Sequence, residues 1–328
     1  MKYLLYPITW LFLIIVFIRN KLYDWRILSG YSSKIPIISI GNIQVGGAGK
    51  TPFVIALCKQ LIAQNITPLI ISRGYKRNTT NQIIFKDFEQ YSAQQVGDEP
   101  YYIKQTLKDV QIIIDDKKQN AVKFANQLKN IDCIILDDGF QSRYINRKPD
   151  VVLIDVSRDY SILMPTGNLR EPQTNLNRAH FIYTTKADSA HLVSLDTHVH
   201  QQLDCDFKLI KYKNGVLDTN YKQTDALGPI ITFCGIANDA HFINQLNKMN
   251  IEIKQQINFE NHAKYNQTKY NQLKNANPNN LSFITTYKDF VKLDESFKNK
   301  YTVYVLEMNI DLNDEKLINK IKELVNEN

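Results

Sequence analysis

Behind an apolar run the chain carries Gly46, Gly47, Ala48, Gly49, Lys50 and Thr51, and then enters a helix-forming stretch. Strand, glycine-rich loop and helix in that order are what binding of a nucleotide's phosphates requires. The glycines let backbone N–H groups turn inward around phosphate oxygens, and the helix N-terminus adds its dipole. Lys50 is expected to reach the β- and γ-phosphates, and the Thr51 hydroxyl to hold Mg²⁺. The strict spacing asks for glycine at position 44, where this chain has Gln44.

A site of this kind also needs acids at the end of a neighbouring strand, to position the metal or its water. The run Ile131–Asp138 ends in Asp137 and Asp138 and turns at Gly139, which delivers two carboxylates to the edge where α/β sheets bind ligands. Asp98 lies in the segment VGDEP before a helical stretch, and by spacing alone it is equally a helix cap. Glu171, in PTGNLREP, reads by itself as a loop acid, and His262, in NFENHAKY, as a loop histidine. Thr185–Asp188 (TKAD) follows a strand and looks like the guanine-reading motif of P-loop GTPases, which keeps a nucleotide switch open as an alternative; a third is a scaffold with a dead P-loop.

The elements that must carry these residues form a largely parallel α/β pattern, short apolar runs alternating with amphipathic ones. Expected strands are Ile35–Ile40, Leu69–Ser72, Val110–Ile114, Cys133–Leu136, Val151–Asp155 and Phe181–Thr184, with helices over Thr51–Gln64 and Asn120–Lys129. After a polar, turn-rich stretch at Lys213–Gly228, a second series runs through Pro229–Cys234, Ile251–Ile257, Leu281–Thr285 and Tyr301–Leu306 to a terminal helix. The expected division is an apolar helix and its basic edge (1–28), a P-loop domain (29–212), a linker (213–228) and a smaller α/β domain (229–328) closing the cleft.

The uncharged run Tyr3–Ile18 is followed at once by Arg19, Lys21 and Arg26. As a helix it would span about 24 Å, short of the roughly 30 Å hydrocarbon core. Its aromatic residues and basic edge suit a membrane-seated anchor, and if it crosses, the basic cluster places the body in the cytoplasm. Hydrophobic residues at 44% and charged residues at 22% of 328 exclude a disordered chain and a multi-span membrane protein. A net charge of +7 favours an anionic surface or substrate without demanding nucleic acid. Four scattered cysteines, with no CxxC pair, argue against a disulfide or zinc framework.

Taken together, the apolar N-terminus, IGNIQVGGAGKTP, SRGY, VGDEP, ILDDGFQ, PTGNLREP and TTYKD resemble the tetraacyldisaccharide 4′-kinase family, the inner-membrane lipid A 4′-kinases, in the family's order and from end to end. The resemblance implies a kinase that transfers the γ-phosphate of ATP to the 4′-hydroxyl of a tetraacyldisaccharide 1-phosphate, with Mg²⁺, at the cytoplasmic face of the inner membrane. It implies an anionic membrane surface as partner, no nucleic acid and no obligate protein partner. It assigns phosphate binding to residues 46–51 and the metal to Thr51, Asp137 and Asp138, with Glu171 arranging metal or acceptor. Asp98 would be the base, with His262 orienting it. Arg73, Arg143 and Arg170 are candidates for the substrate's phosphate. The chain departs from the family at Ser142, where histidine is usual, and at Asn261 and Ala263 beside His262.

Overall fold

The computed structural model describes residues 5–87, 90–157, 162–186, 200–213, 216–218, 221, 227–236, 238–260 and 263–327. In chain order the first strands are β1 (Ile37–Gly41), β2 (Pro68–Ser72), β3 (Ile83–Phe85), β4 (Gln111–Ile114), β5 (Cys133–Asp137), β6 (Asp150–Asp155), β7 (Phe181–Thr185) and β8 (His200–Gln202). Among the described residues they make one eight-stranded sheet in the order β3-β4-β2-β5-β1-β6-β7-β8. All pairs are parallel except the β3 edge. The central strands read as unbroken apolar runs because helices cover both faces, so no position faces water.

Parallel pairing has a functional consequence. The C-terminal ends of β2, β5, β1, β6 and β7 lie on one edge, bringing Ser72, Asp137, Gly41, Asp155 and Thr185 together. The register sets Ile40 beside Asp137. At this edge Gly41 admits no side chain, since a Cβ there would stand 2.5 Å from that of Phe140. The loop after β1 then enters α2 (Lys50–Ala63), whose Phe53, Val54, Leu57 and Leu61 are fully buried. Each such side chain contributes roughly 1.5–3 kcal/mol.

A second sheet follows, of β9 (Asp204–Lys213), β10 (Val216–Asp218), β11 (Ile230–Cys234), β12 (Ile253–Asn258), β13 (Phe283–Thr286) and β14 (Val303–Asp311), ordered β10-β9-β14-β13-β11-β12. It begins earlier than the sequence suggests. β9 pairs with β14 antiparallel from Asp204↔Asp311 to Tyr212↔Val303, so residues assigned by sequence to the first unit and to the linker are strands of the second sheet. One apolar core joins the two halves, running from α2 into β14 and α10 (Glu315–Asn326). Across the junction the Tyr183 hydroxyl donates to Asp314 at 2.7 Å. Tyr102 stacks on Tyr287 with centroids 3.8 Å apart.

At the N-terminus α1 (Tyr6–Asp24) extends past the uncharged run into its basic edge. Thr9, Val16 and Asn20 are buried against the body, while Trp10 (64% exposed), Leu11, Ile15 and Phe17 face outward. No helix among the described residues is long and apolar enough to cross a membrane.

Candidate active site

The loop of residues 42–49 is fixed by its neighbours as much as by its own glycines. Gly49, at φ 82°, adopts a backbone that glycine alone takes freely, turning the chain into α2. The Ala48 carbonyl accepts the Thr185 hydroxyl at 3.2 Å, and the Gly47 carbonyl accepts Lys186 Nζ at 2.8 Å. Lys186 also pairs with buried Asp155 at 2.6 Å. Gln44, in the place of the absent glycine, is buried and bonded through its amide to the backbone of Asp155. Thr185 and Lys186 of the TKAD stretch therefore brace this glycine-rich loop; Ala187 and Asp188 lie outside the described residues.

Lys50 and the carboxylate pair converge. Lys50 Nζ stands 3.2 Å from Asp138 Oδ1 and donates to Asn42 Oδ1 at 3.2 Å. Arg170 Nη1 donates to both oxygens of Asp138, at 3.0 and 2.9 Å. Burial would raise the Asp138 carboxyl, but Lys50 and Arg170 override it and hold the group well below the ordinary range. Asp138 itself sits at φ 51°, a left-handed turn that aspartate tolerates.

Asp137 behaves differently. Its Oδ2 accepts the Ser72 hydroxyl at 2.9 Å, while Oδ1 is buried without a hydrogen-bond partner. Burial first, and the charge of Glu99 second, push this carboxyl up to about 6. Lys118, the first residue of α5 (Lys118–Ala125), closes the turn from beneath, donating to the carbonyls of Asp137 and Asp138 at 2.5 and 2.7 Å. Burial pulls its ammonium down to about 8, against the pull of both aspartates.

Asp98 opens α4 (Asp98–Thr106), with Gly97 at the cap position and no side-chain cap bond. It does not cap the helix. Its Oδ2 meets Lys292 Nζ at 3.2 Å, from the side of the second sheet. Burial raises its carboxyl above the ordinary value, and Lys292 works against that rise. His262 and Asn261 lie outside the described residues. The adjoining Ala263 is buried beside Gly235, where an added Cβ would come within 3.0 Å of it.

The remaining candidates separate. Glu171 is fully buried and faces α1, accepting from Asn20 at 3.1 Å, Asn175 at 2.8 Å and Arg178 at 2.5 Å, with Arg19 at 3.7 Å. Its neighbour Arg170 takes the opposite direction, toward Asp138, so the geometry does not bring Glu171 into the carboxylate pair. Among the described residues no three His, Cys, Asp or Glu side chains gather as a metal site. Arg143 also serves α1, donating to the Asn20 carbonyl and to Asp24, both at 2.8 Å. Arg73 is exposed at the end of β2, close enough to Lys118 for their charges to interact. Ser142 is a buried turn residue donating its N–H to Gly139. Sequence reasoning does not name Asn42, Lys118 or Lys292, and it reads Lys186 only as part of TKAD; Asn42 lies inside the loop motif, while nothing local marks Lys118 or Lys292.

The model of the family described as tetraacyldisaccharide-1-P 4′-kinase matches residues 1–326. A tetraacyldisaccharide 4′-kinase of Pelodictyon phaeoclathratiforme is 31% identical over 88% of this chain and 86% of its own length. One of Psychromonas ingrahamii is 29% identical over 98% and 96%, and one of Bacteroides fragilis 40% identical over 56% and 49%. The crystal structure of the "apo" form of LpxK from Aquifex aeolicus in complex with ATP superposes with a TM-score of 0.80 at 27% identity, covering 99% of both chains.

Proposed function

The chain belongs to the tetraacyldisaccharide-1-P 4′-kinase family, and we infer from that membership that it is the ATP-dependent kinase forming the 1,4′-bisphosphate from tetraacyldisaccharide 1-phosphate in lipid A biosynthesis. The observation that carries the reading is the convergence of Lys50 with Asp138 and Asn42 at the loop that follows β1. Phosphoryl transfer asks for positioning and charge stabilisation more than for covalent chemistry, and a braced phosphate loop supplies both.

On this reading the amides of residues 46–51 cradle the nucleotide's phosphates. Lys50, held between Asn42 and Asp138, serves the β- and γ-phosphates with its ammonium. Asp98 accepts the proton of the sugar hydroxyl as that oxygen bonds to the γ-phosphorus; the bond from phosphorus to the β–γ bridging oxygen breaks and ADP leaves. His262 is proposed to orient Asp98. The unpartnered buried oxygen of Asp137 fits a Mg²⁺ ion, with Asp138 and the buried Thr51 hydroxyl as its further proposed ligands. When bound, Mg²⁺ would neutralise charge on the β- and γ-phosphate oxygens. Arg73, exposed at the same sheet edge, is available to the substrate's 1-phosphate; Arg143 and Arg170 have other partners. The outward apolar face of α1 and its basic edge are proposed to seat the enzyme on the anionic cytoplasmic surface of the inner membrane.

The test is transfer of label from γ-labelled ATP to tetraacyldisaccharide 1-phosphate in mixed micelles. A bisphosphorylated product is expected from the wild type, with Lys50→Ala retaining less than about a thousandth of the turnover and Asp98→Asn reduced 10²–10⁴-fold. Lys50→Ala within about threefold of wild type would contradict the site.

A further inference from the structure

Two lysines one helical turn apart reach from the second sheet to the N-terminus of α4. They stand on and just beyond α8 (Tyr287–Phe290), whose turn continues through Val291 and Lys292 by backbone bonds to Tyr287 and Asp289 at 3.2 and 3.1 Å. Lys288 pairs with Glu99, and Lys292 with Asp98 at 3.2 Å. We propose that Lys292 is a positioning residue for the transfer, holding the Asp98 carboxylate in one orientation from the opposite half of the molecule. This rests on Asp98 acting as the base.

Three observations separate it from an ordinary surface ion pair, which contributes about 0–1 kcal/mol and orients little. First, the pair is sheltered: the Lys292 side chain is 12% exposed and that of Asp98 25%. Second, Lys292 is itself held, at 3.7 Å from Oδ1 of fully buried Asp289. The other oxygen of Asp289 accepts the Gly235 N–H at 2.9 Å and the Thr286 hydroxyl at 2.8 Å, which fixes it to the ends of β11 and β13. A chain of contacts thus runs from the second sheet through Asp289 and Lys292 to Asp98. Third, Gly97 holds the cap position of α4, so Asp98 is not engaged as the cap of its own helix.

Among the described residues, the charges facing Asp98 are Lys292 and Lys288 from the second half and Glu99 from its own helix. Of these Lys292 does most to favour the ionised carboxylate, and burial and Glu99 oppose it. Losing Lys292 would leave a carboxylate that rotates more freely and protonates at higher pH. The alignment of the base then depends on the two halves being apposed, so a chain with its sheets drawn apart retains an intact phosphate loop and a misaligned base.

The experiment measures kcat, KM for ATP, the pH profile of kcat and the melting temperature for wild type, Lys292→Met, Lys292→Gln, Lys292→Arg and Asp98→Asn. For Lys292→Met and Lys292→Gln, kcat should fall about 10–100-fold, the cost of a misplaced group, with KM for ATP within about twofold. The acid limb of the profile should move up by about one pH unit, and Lys292→Arg should restore most of the rate. If Lys292→Met does not fold, Lys292→Gln carries the same comparison. An unshifted limb, or a fall in rate matched by lost melting temperature alone, overturns the proposal while Asp98→Asn remains inactive. Undiminished turnover in Asp98→Asn would instead remove the base on which it rests.

Discussion

The side chain of Gln44 and the backbone of Asp155 exchange two hydrogen bonds: Nε2 donates to the Asp155 carbonyl at 2.9 Å, and Oε1 accepts the Asp155 N–H at 2.8 Å. A glutamine amide here acts as one more residue of strand pairing, laid against the end of β6. The loop is held by this buried tether, joined at the same residue by Lys186.

Gln44→Ala should therefore weaken nucleotide binding while leaving the chemistry in place. Two buried backbone groups of Asp155 would lose their partners, at about 1–3 kcal/mol for each group left unsatisfied. We expect KM for ATP to rise about tenfold, kcat to change less than about threefold, and the melting temperature to drop. An unchanged KM would show that the amide does not shape the loop.

Glu171 separates two roles by measurement. As an anchor for α1, its buried charge is matched by Arg178 and Arg19, and Glu171→Gln breaks that match at about 3–5 kcal/mol. The variant should melt much lower, while the Mg²⁺ concentration giving half-maximal rate stays within about twofold. A metal ligand would give the reverse, a normal melt and a large rise in the Mg²⁺ requirement.

Asp137 sets a pH dependence of stability. Its folded value of about 6 lies above the ordinary 3.8 of an aspartate, so the folded state binds its proton more tightly than the unfolded one. Its contribution is full below about pH 4 and is lost as pH rises through about 6. Over that interval the nucleotide-free protein should lose roughly 1–3 kcal/mol through this group. Asp137→Asn should flatten the corresponding part of the melting-temperature profile; an unchanged slope would show that the carboxyl is already ionised when folded.

The outward face of α1 should act on lipid and not on the fold. Replacing exposed Trp10 and Phe17 by serine removes no buried contact, so the melting temperature should move little. Binding to vesicles containing anionic lipid should fall by about tenfold or more, since each large side chain contributes roughly 1.5–3 kcal/mol when buried in an apolar phase. Binding equal to wild type would exclude this face as the membrane seat.

What the sequence determined by itself is what local pattern encodes. The unbroken apolar runs of β1, β2, β5 and β6 declare strands buried on both faces. Gly49 marks a backbone turn that side chains disfavour, and Asp137 and Asp138 must stand where their strand ends. Those few features carry the proposed nucleotide site, because parallel pairing brings strand ends to one edge whatever the details. Boundaries drawn from polarity did less well: Asp204–Lys213 looks like the close of the first half, yet it pairs along its length with β14. Polar, turn-rich composition reports solvent exposure and does not report which sheet a strand joins. The tertiary structure alone decided what each acid does. Glu171 and Asp138 are both loop or edge carboxylates by sequence, but one faces Asn20 and Arg178 and the other Lys50 and Arg170. Asp98 could cap its helix until Lys292, far along the chain, reaches it. A carboxylate's proton affinity and orientation are set by the charges and burial that folding brings within a few ångströms. Those neighbours are distant in the chain, and no local spacing encodes them.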